Sequence, residues 1–350
     1  MKEQKKEQNK QQNKKRRFSK PVIFVTALLQ IAVSAAICVM LVFYSPFFKT
    51  IEKFVVGSLM ETGSHQYIAK MLLSEAQIKQ LTGSTTNPQT TVSQKASSVK
   101  VTNMGNTNIV KYQVSGSQFA GYVLEIKDPL RVKVGMTQYV GKVGEFTSKI
   151  AERFGAVAAI NGGGFSLGVN SSDSAQYPTN FVMHDGNVVW QDSSFEDSTK
   201  VNVIAIDKSG ILVVGNHSIN GLKELNVSEA VTMPKNSQND FKPFIVNGEG
   251  QFSKGSSESR APRTAIAQLE DGTILLIALD GRQMGQLGAT YYEMQQLIIS
   301  KFSTSGNPIE TATILDGGGS TTMYYNGEVI NHPSAQFGER TVATAFYVEK

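Results

Sequence analysis

The sequence predicts an α+β fold of mixed, mainly antiparallel sheets with packed helices, behind an N-terminal transmembrane helix. Three observations carry that expectation. A charge-free run from Pro21 to Phe48 borders a basic block. Beyond about residue 100, short apolar segments alternate with turn residues, and two of the turns carry the hairpin dipeptides Asp271-Gly272 and Asn326-Gly327. Only two segments in that region hold a helical period, which argues against a regular βαβ array.

Residues 1–20 form a basic tail, with nine Lys/Arg against Glu3 and Glu7. The whole chain carries +5, so the remainder sums to −2 and offers no basic face for nucleic acid. Residues 21–48, "PVIFVTALLQIAVSAAICVMLVFYSPFF", exceed the roughly 20 apolar residues that span a bilayer. The Lys/Arg cluster before them favours a cytoplasmic N-terminus and an extracellular C-terminal domain on a single-pass signal anchor. A cleaved signal peptide is the competing reading, but no small-x-small site follows. Cys38, inside the span, is the only cysteine. The rest therefore has no disulfide, thiol nucleophile or Cys metal site, which leans towards a bacterial envelope protein. Residues 49–82 read as a helical stalk with Ile68, Leu72, Ile78 and Leu81 on one face, packed or available for self-association. Residues 83–100 are a polar, hydroxyl-rich linker. The globular domain spans 101–350.

Within it "FAGYVLEIKDP" reads as a strand, and "KVNVIAIDKSGILVVG" folds back at Lys208-Ser209-Gly210. "TAIAQLEDGTILLIALDG" and "TTMYYNGEVIN" are hairpins. Residues 143–154 place Phe146, Ile150 and Phe154 on one helical face; residues 290–302 do so with Met294, Leu297, Ile298 and Phe302.

Four clusters share a design: an apolar strand ending in a polar residue with glycine or arginine nearby. They are "AVAAINGGGF" (Asn161, Gly162, Gly163), "RAPRTAIA" (Arg260, Arg263), "LLIALDGR" (Asp280, Arg282, with Glu293 on the next helix) and "ATILDGGGSTT" (Asp316, Gly317, Gly318, Gly319, Ser320). Glycine lets backbone N–H groups approach an anion. Arginine offers a planar fork for phosphate or carboxylate. Carboxylates at strand ends serve as acid, base or nucleophile. Together they suit an anionic, hydroxylated substrate such as a sugar phosphate. Each part also has a structural reading: a tight turn for the glycines, strand termination for Asp280 and Asp316, ion pairing for Arg263 and Arg282, a solvated helix face for Glu293. The glycine runs match neither a Walker loop nor a dinucleotide fingerprint. The four His show no metal spacing, so neither metal nor cofactor is expected.

The order "AAINGGGF … APRTAIA … ALDGR … GATYYEMQQL … ILDGGGSTTMYYNGEVINHPS … ERTVATAFYV" resembles the phosphodiester glycosidase family over roughly residues 150–350. "GATYYEM" departs from that family's more aliphatic run, and Gly164 stands where many members carry an aromatic. The resemblance implies hydrolysis of a sugar-1-phosphodiester at C1–O. It implies Asp316 at the anomeric carbon or its water, Glu293 as second carboxylate, and Asp280 in the catalytic set. Arg263 and Arg282 would hold the phosphodiester, Gly317–Ser320 would cradle it, and Asn161 would orient a sugar hydroxyl or acetamido group. Arg340, in "GERTVATA", is read either as an ion-pair partner of Asp280 or as a ligand contact, with the structural role the favoured one. An envelope glycopolymer is the expected carbohydrate partner. The rival classes are a P–O-cleaving phosphodiesterase and a glycan-binding or scaffold module without catalysis.

Overall fold

The computed structural model describes residues 20–61, 66–82, 98–167, 176–234, 243–254, 259–335 and 338–350. Residues 1–19 of the basic tail and 83–97 of the linker lie outside them. Helix α1 (Lys20–Tyr44) is long and apolar enough to cross a membrane; its Phe24–Tyr44 stretch has a mean hydropathy of 2.4. The chain divides into two compact units, Met1–Val55 and Val56–Lys350. The second begins inside α2 (Lys49–Glu61) and includes α3 (Gln66–Leu72) and α4 (Glu75–Thr82). Val56 and Met60 of α2 are buried at i, i+4 spacing, and Ala69 of α3, Leu73 just after it and Ile78 of α4 are buried too, so each of these helices turns apolar residues inward. Most of the segment read as a stalk therefore belongs to the same compact unit as the sheets.

In chain order the strands are β1 (Ile109–Ser115), β2 (Ala120–Ile126), β3 (Val132–Met136), β4 (Ala158–Asn161), β5 (Phe165–Leu167), β6 (Gln176–Pro178), β7 (Phe181–His184), β8 (Asn187–Gln191), β9 (Val201–Asp207) and β10 (Leu212–His217). They continue with β11 (Val227–Met233), β12 (Pro243–Val246), β13 (Glu249–Gly250), β14 (Arg263–Leu269), β15 (Ile274–Leu279), β16 (Ile309–Ile314), β17 (Met323–Tyr325), β18 (Glu328–Val329) and β19 (Thr344–Val348). Three longer sheets form: β1-β2-β15-β14-β16-β12-β13, β10-β9-β11-β7-β8 and β18-β17-β4-β19-β3, with β5-β6 as a separate ribbon. Every pairing among the described residues is antiparallel.

The three sheets turn one face each into a shared core. Leu124, Ile266 and Leu276 come from the first, Ile204 and Val231 from the second, Ile160 and Phe346 from the third. Each outer face is covered by a helix: α7 (Tyr291–Phe302) on the first, α6 (Ile219–Glu224) on the second and α5 (Thr147–Arg153) on the third. Strands covered on both faces read as unbroken apolar runs, as in β15 "ILLIAL". Helix α7 starts at a capping box of Thr290 and Glu293 and buries Met294, Leu297, Ile298 and Phe302. Helix α5 is shorter than its periodicity suggests. Phe146 stands at its N-cap, 40% exposed, so Ile150 and Ala151 carry the buried face instead. The Asn326-Gly327 turn has φ 52° and 94°, as a tight hairpin of this type requires.

This topology brings distant segments together. β14 lies between β15 and β16 and runs antiparallel to both. The start of β14 therefore meets the ends of β15 and β16, with Arg263 opposite Leu279 and the Leu315 amide on the Thr264 carbonyl at 2.9 Å.

Candidate active site

Asn161 ends β4 in the neighbouring sheet and is fully buried. Its Nδ2 donates to the Asp316 carbonyl at 2.5 Å. Its Oδ1 accepts from Thr264 Oγ1 at 2.8 Å and from the Thr322 amide at 3.1 Å. The Asp316 amide donates to the Gly162 carbonyl at 3.2 Å. One buried side chain thus ties together three segments that the fold brings to the same place. The geometry gives Asn161 a fixing role where the sequence suggests a sugar ligand.

Past the half-buried Asp316, the chain turns through Gly317 and a short 3₁₀ turn, Gly318–Ser320. Gly318 has φ +61°, and a Cβ there would stand 3.1 Å from Arg282 Nη1. Without one, the Arg282 guanidinium lies against the backbone. Arg282 itself has φ 57°, a conformation rare outside glycine and enriched at functional sites. The Gly318 amide donates to the Pro262 carbonyl at 2.9 Å. Among the described residues, the amides of Gly317 and Gly319 donate to nothing. The Ser320 hydroxyl is fully buried and has no hydrogen-bond partner. Arg340 completes the group. Its Cδ lies 3.8 Å from where a Gly319 Cβ would be, and its guanidinium sits 5.1 Å from the Phe165 ring centroid. Among the described residues no carboxylate pairs with Arg340. Two open N–H groups, a buried hydroxyl and two guanidinium groups therefore gather on the turn that follows Asp316 in the chain. Such a set stabilises an oxyanion without having to reorganise.

The other candidate residues stand elsewhere. The first glycine run is packed. A Cβ on Gly162 would fall 2.5 Å from Thr344 Oγ1, and one on Gly163 would fall 2.6 Å from the Thr232 carbonyl oxygen. Their amides donate to the Thr344 carbonyl at 2.8 Å and to Thr344 Oγ1 at 3.0 Å. A phosphate cradle there would have to break both bonds. Arg263 points to the helix side of its sheet. Nε donates to the Ala289 carbonyl at 3.1 Å, Nη1 to Tyr291 Oη at 2.9 Å and Nη2 to the Ser259 carbonyl at 2.6 Å. Its plane lies 4.0 Å from the Tyr291 ring centroid. Thr264, the next residue, faces Asn161, so the alternation of a strand sends Arg263 away.

Glu293 caps helix α7 and grips Arg260 with both oxygens, at 2.6 and 2.5 Å. Burial pulls its pKa upward, but the Arg260 and Thr290 hydrogen bonds win and hold it below the usual range. Asp280 is 6% exposed and accepts from Asn331 Nδ2 at 2.9 Å and the His332 amide at 3.0 Å. Burial raises its pKa against those two bonds. The expected Asp280–Arg340 ion pair is absent: backbone and amide donors serve Asp280, while Arg340 turns to Gly319. Among the described residues one cluster, His184, Asp185 and Glu229, gathers metal-type ligand atoms. Lys133 Nζ lies 2.8 Å from Asp185 and 3.5 Å from Glu229, a fixed cation serving those carboxylates.

A profile of the phosphodiester glycosidase family matches residues 154–349, more than half of the 350-residue chain. The chain belongs to the phosphodiester glycosidase family. Residues 154–349 are therefore a phosphodiester glycosidase domain. The chain is similar in structure to the catalytic domain of a zebrafish enzyme, N-acetylglucosamine-1-phosphodiester alpha-N-acetylglucosaminidase, solved auto-inhibited by its pro-peptide. The TM-score is 0.56 at 18% identity, over 71% of this chain and 86% of that one, a likeness of fold. It is also 40% identical over 73 residues to the uncharacterized SPbeta prophage-derived protein YomE of Bacillus subtilis (strain 168). That match covers 21% of this chain and spans 10% of YomE.

Proposed function

We propose that this phosphodiester glycosidase hydrolyses a sugar-1-phosphodiester at the C1–O bond. The observation that carries this reading is the set of donors on the turn after Asp316: the Gly317 and Gly319 amides, which donate to nothing among the described residues, the buried Ser320 hydroxyl, and the Arg282 and Arg340 guanidinium groups. The amides, hydroxyl and guanidinium groups take the phosphate oxygens. Asp316 faces the anomeric carbon or the attacking water. Water oxygen bonds to C1, and the C1–O bond breaks with its electron pair on the phosphate oxygen. The water's proton leaves through Asp316. The leaving group is already a stable anion, so it needs little protonation, and electrostatic stabilisation is the larger requirement.

The apolar helix and the Lys/Arg cluster before it support a single-pass anchor with a cytoplasmic N-terminus and an external catalytic domain. An enzyme so placed meets envelope glycopolymers. The zebrafish enzyme's name makes N-acetylglucosamine the first sugar to try.

The test is hydrolysis of a GlcNAc-1-phosphodiester in ¹⁸O-water by the detergent-solubilised full chain. Label in the sugar, lost in Asp316→Asn, supports C1–O cleavage. Label in the phosphate moves the reaction to P–O cleavage. No turnover of any envelope-type diester leaves a binding module.

A further inference from the structure

We infer that Glu293, through Arg260, is a positioning residue for the phosphate-facing Arg282 and not the acid or base of the reaction. The inference rests on the phosphate-cradle reading above.

The loop carrying Arg282 leaves β15 after Asp280 and returns at Gly288. Its two stems touch: a Cβ on Gly281 would fall 2.5 Å from Gly288 Cα. Within the loop, Gln283 and Gln286 exchange backbone hydrogen bonds at 2.9 and 3.0 Å. The Arg282 amide reaches across to the Leu287 carbonyl at 3.4 Å. The returning stem is fastened from outside. The Gly288 amide donates to the Gln118 carbonyl at 2.8 Å, and the Gly288 carbonyl accepts Arg260 Nη1 at 3.0 Å. Ala289 and Ala261 exchange backbone bonds at 3.0 and 3.3 Å.

Arg260 can hold that carbonyl only while its own fork is fixed. Glu293 fixes it bidentately, and Glu293 is fixed in turn by the Thr290 amide at 3.0 Å. Thr290, Glu293, Arg260 and Gly288 thus close a ring at the return stem. Arg282 is six residues before Gly288 and holds an unfavourable φ, so its place against Gly318 depends on a loop that cannot relax. Both Glu293 oxygens already accept bonds. To protonate a leaving group or activate water, Glu293 would have to release Arg260 and with it the Gly288 carbonyl.

The experiment measures inorganic phosphate binding, by calorimetry on the detergent-solubilised full chain, beside the pH profile of kcat. Glu293→Gln keeps the size and one acceptor but loses the charged fork. Its phosphate affinity should fall about tenfold or more, with both limbs of the kcat profile in place. Arg260→Met leaves the Glu293 carboxylate intact and should weaken phosphate binding likewise; it also serves if Glu293→Gln does not fold. In an Arg282→Ala background neither change should weaken phosphate binding further. The inference is overturned if Glu293→Gln binds phosphate normally but loses a limb of the profile. It is overturned equally if Arg260→Met behaves as wild type. Wild-type protein that binds no phosphate would instead sink the cradle reading itself.

Discussion

Replacing Gly318 and Gly162 separately by alanine tests the division between an open and a packed glycine run. At Gly318 the new Cβ meets the far end of a flexible side chain, Arg282 Nη1 at 3.1 Å, on a backbone with φ +61°. The left-handed conformation costs a Cβ-bearing residue about 1 kcal/mol. In a unit of this size that lowers the melting temperature by roughly 2–4 °C. Function should suffer more. Arg282 must shift off the backbone, and losing one preorganised donor typically costs about a hundred- to a thousand-fold. Gly318→Ala should therefore fold and lose at least about a hundred-fold in kcat/KM on a sugar-1-phosphodiester. At Gly162 the Cβ would fall 2.5 Å from Thr344 Oγ1 and 2.9 Å from the Thr344 carbonyl carbon. That backbone is paired inside a sheet and cannot swing away, so overpacking should cost roughly 1–3 kcal/mol or more. The assay is thermal melting beside steady-state kinetics for both variants. Full activity in Gly318→Ala, or a catalytic loss in Gly162→Ala at an unchanged melting temperature, would refute the division.

Arg340→Ala should lower kcat/KM about a hundred-fold, since Arg340 lies against Gly319 without an acidic partner among the described residues. Its stability should move by no more than about 0.5 kcal/mol, checked by denaturant unfolding. Ser320→Ala removes a buried hydroxyl with no partner. It should leave the free protein as stable or more stable, because such a group costs about 1–3 kcal/mol, while weakening phosphate binding in calorimetry. Asp280 has a folded-state pKa raised by burial. The folded state therefore holds its proton to higher pH than the unfolded chain. Its contribution to stability falls as pH rises from the ordinary carboxylate value through the raised one. Asp280→Asn, which keeps an acceptor for Asn331 and His332, should flatten that part of the stability profile in melts across pH.

Local features were legible where neighbours in sequence decide them. Asn326-Gly327 and Asp271-Gly272 specify tight turns by their own φ preferences, and Thr290 with Glu293 specifies the start of α7. The site was legible as a set of segments but less so as a set of roles. Asn161 and Asp316 precede identical glycine triplets. What separates them is Thr344 and Thr232, brought in from β19 and β11 against the first triplet only. Arg263 and Arg282 differ by strand parity and by one left-handed residue, neither fixed by composition. Arg340 follows a loop whose approach to Gly319 depends on the sheet that β19 joins. The shared core of three sheets is likewise a product of long-range pairing.

The two triplets lie back to back, and that arrangement makes the open one usable. Residues 161 and 162 hold Asp316 at both ends of its backbone: the Gly162 carbonyl accepts from the Asp316 amide, and Asn161 Nδ2 donates to the Asp316 carbonyl. Open amides stabilise developing charge only if their direction is set before the charge appears. The packed triplet supplies that direction, and Asn161 transmits it. Asn161→Ala should therefore act as more than a lost contact. It leaves the Asp316 carbonyl, Thr264 Oγ1 and the Thr322 amide without their common partner in the core. Thr264 Oγ1 keeps Thr321 Oγ1 at 3.2 Å, while each group that is orphaned costs about 1–3 kcal/mol, and such costs around one site will not add independently. Stability and kcat should fall together for every sugar tried, because Asp316 and Gly317 lose their anchor. A variant that melts normally and raises KM only for acetamido sugars would make Asn161 a substrate ligand after all.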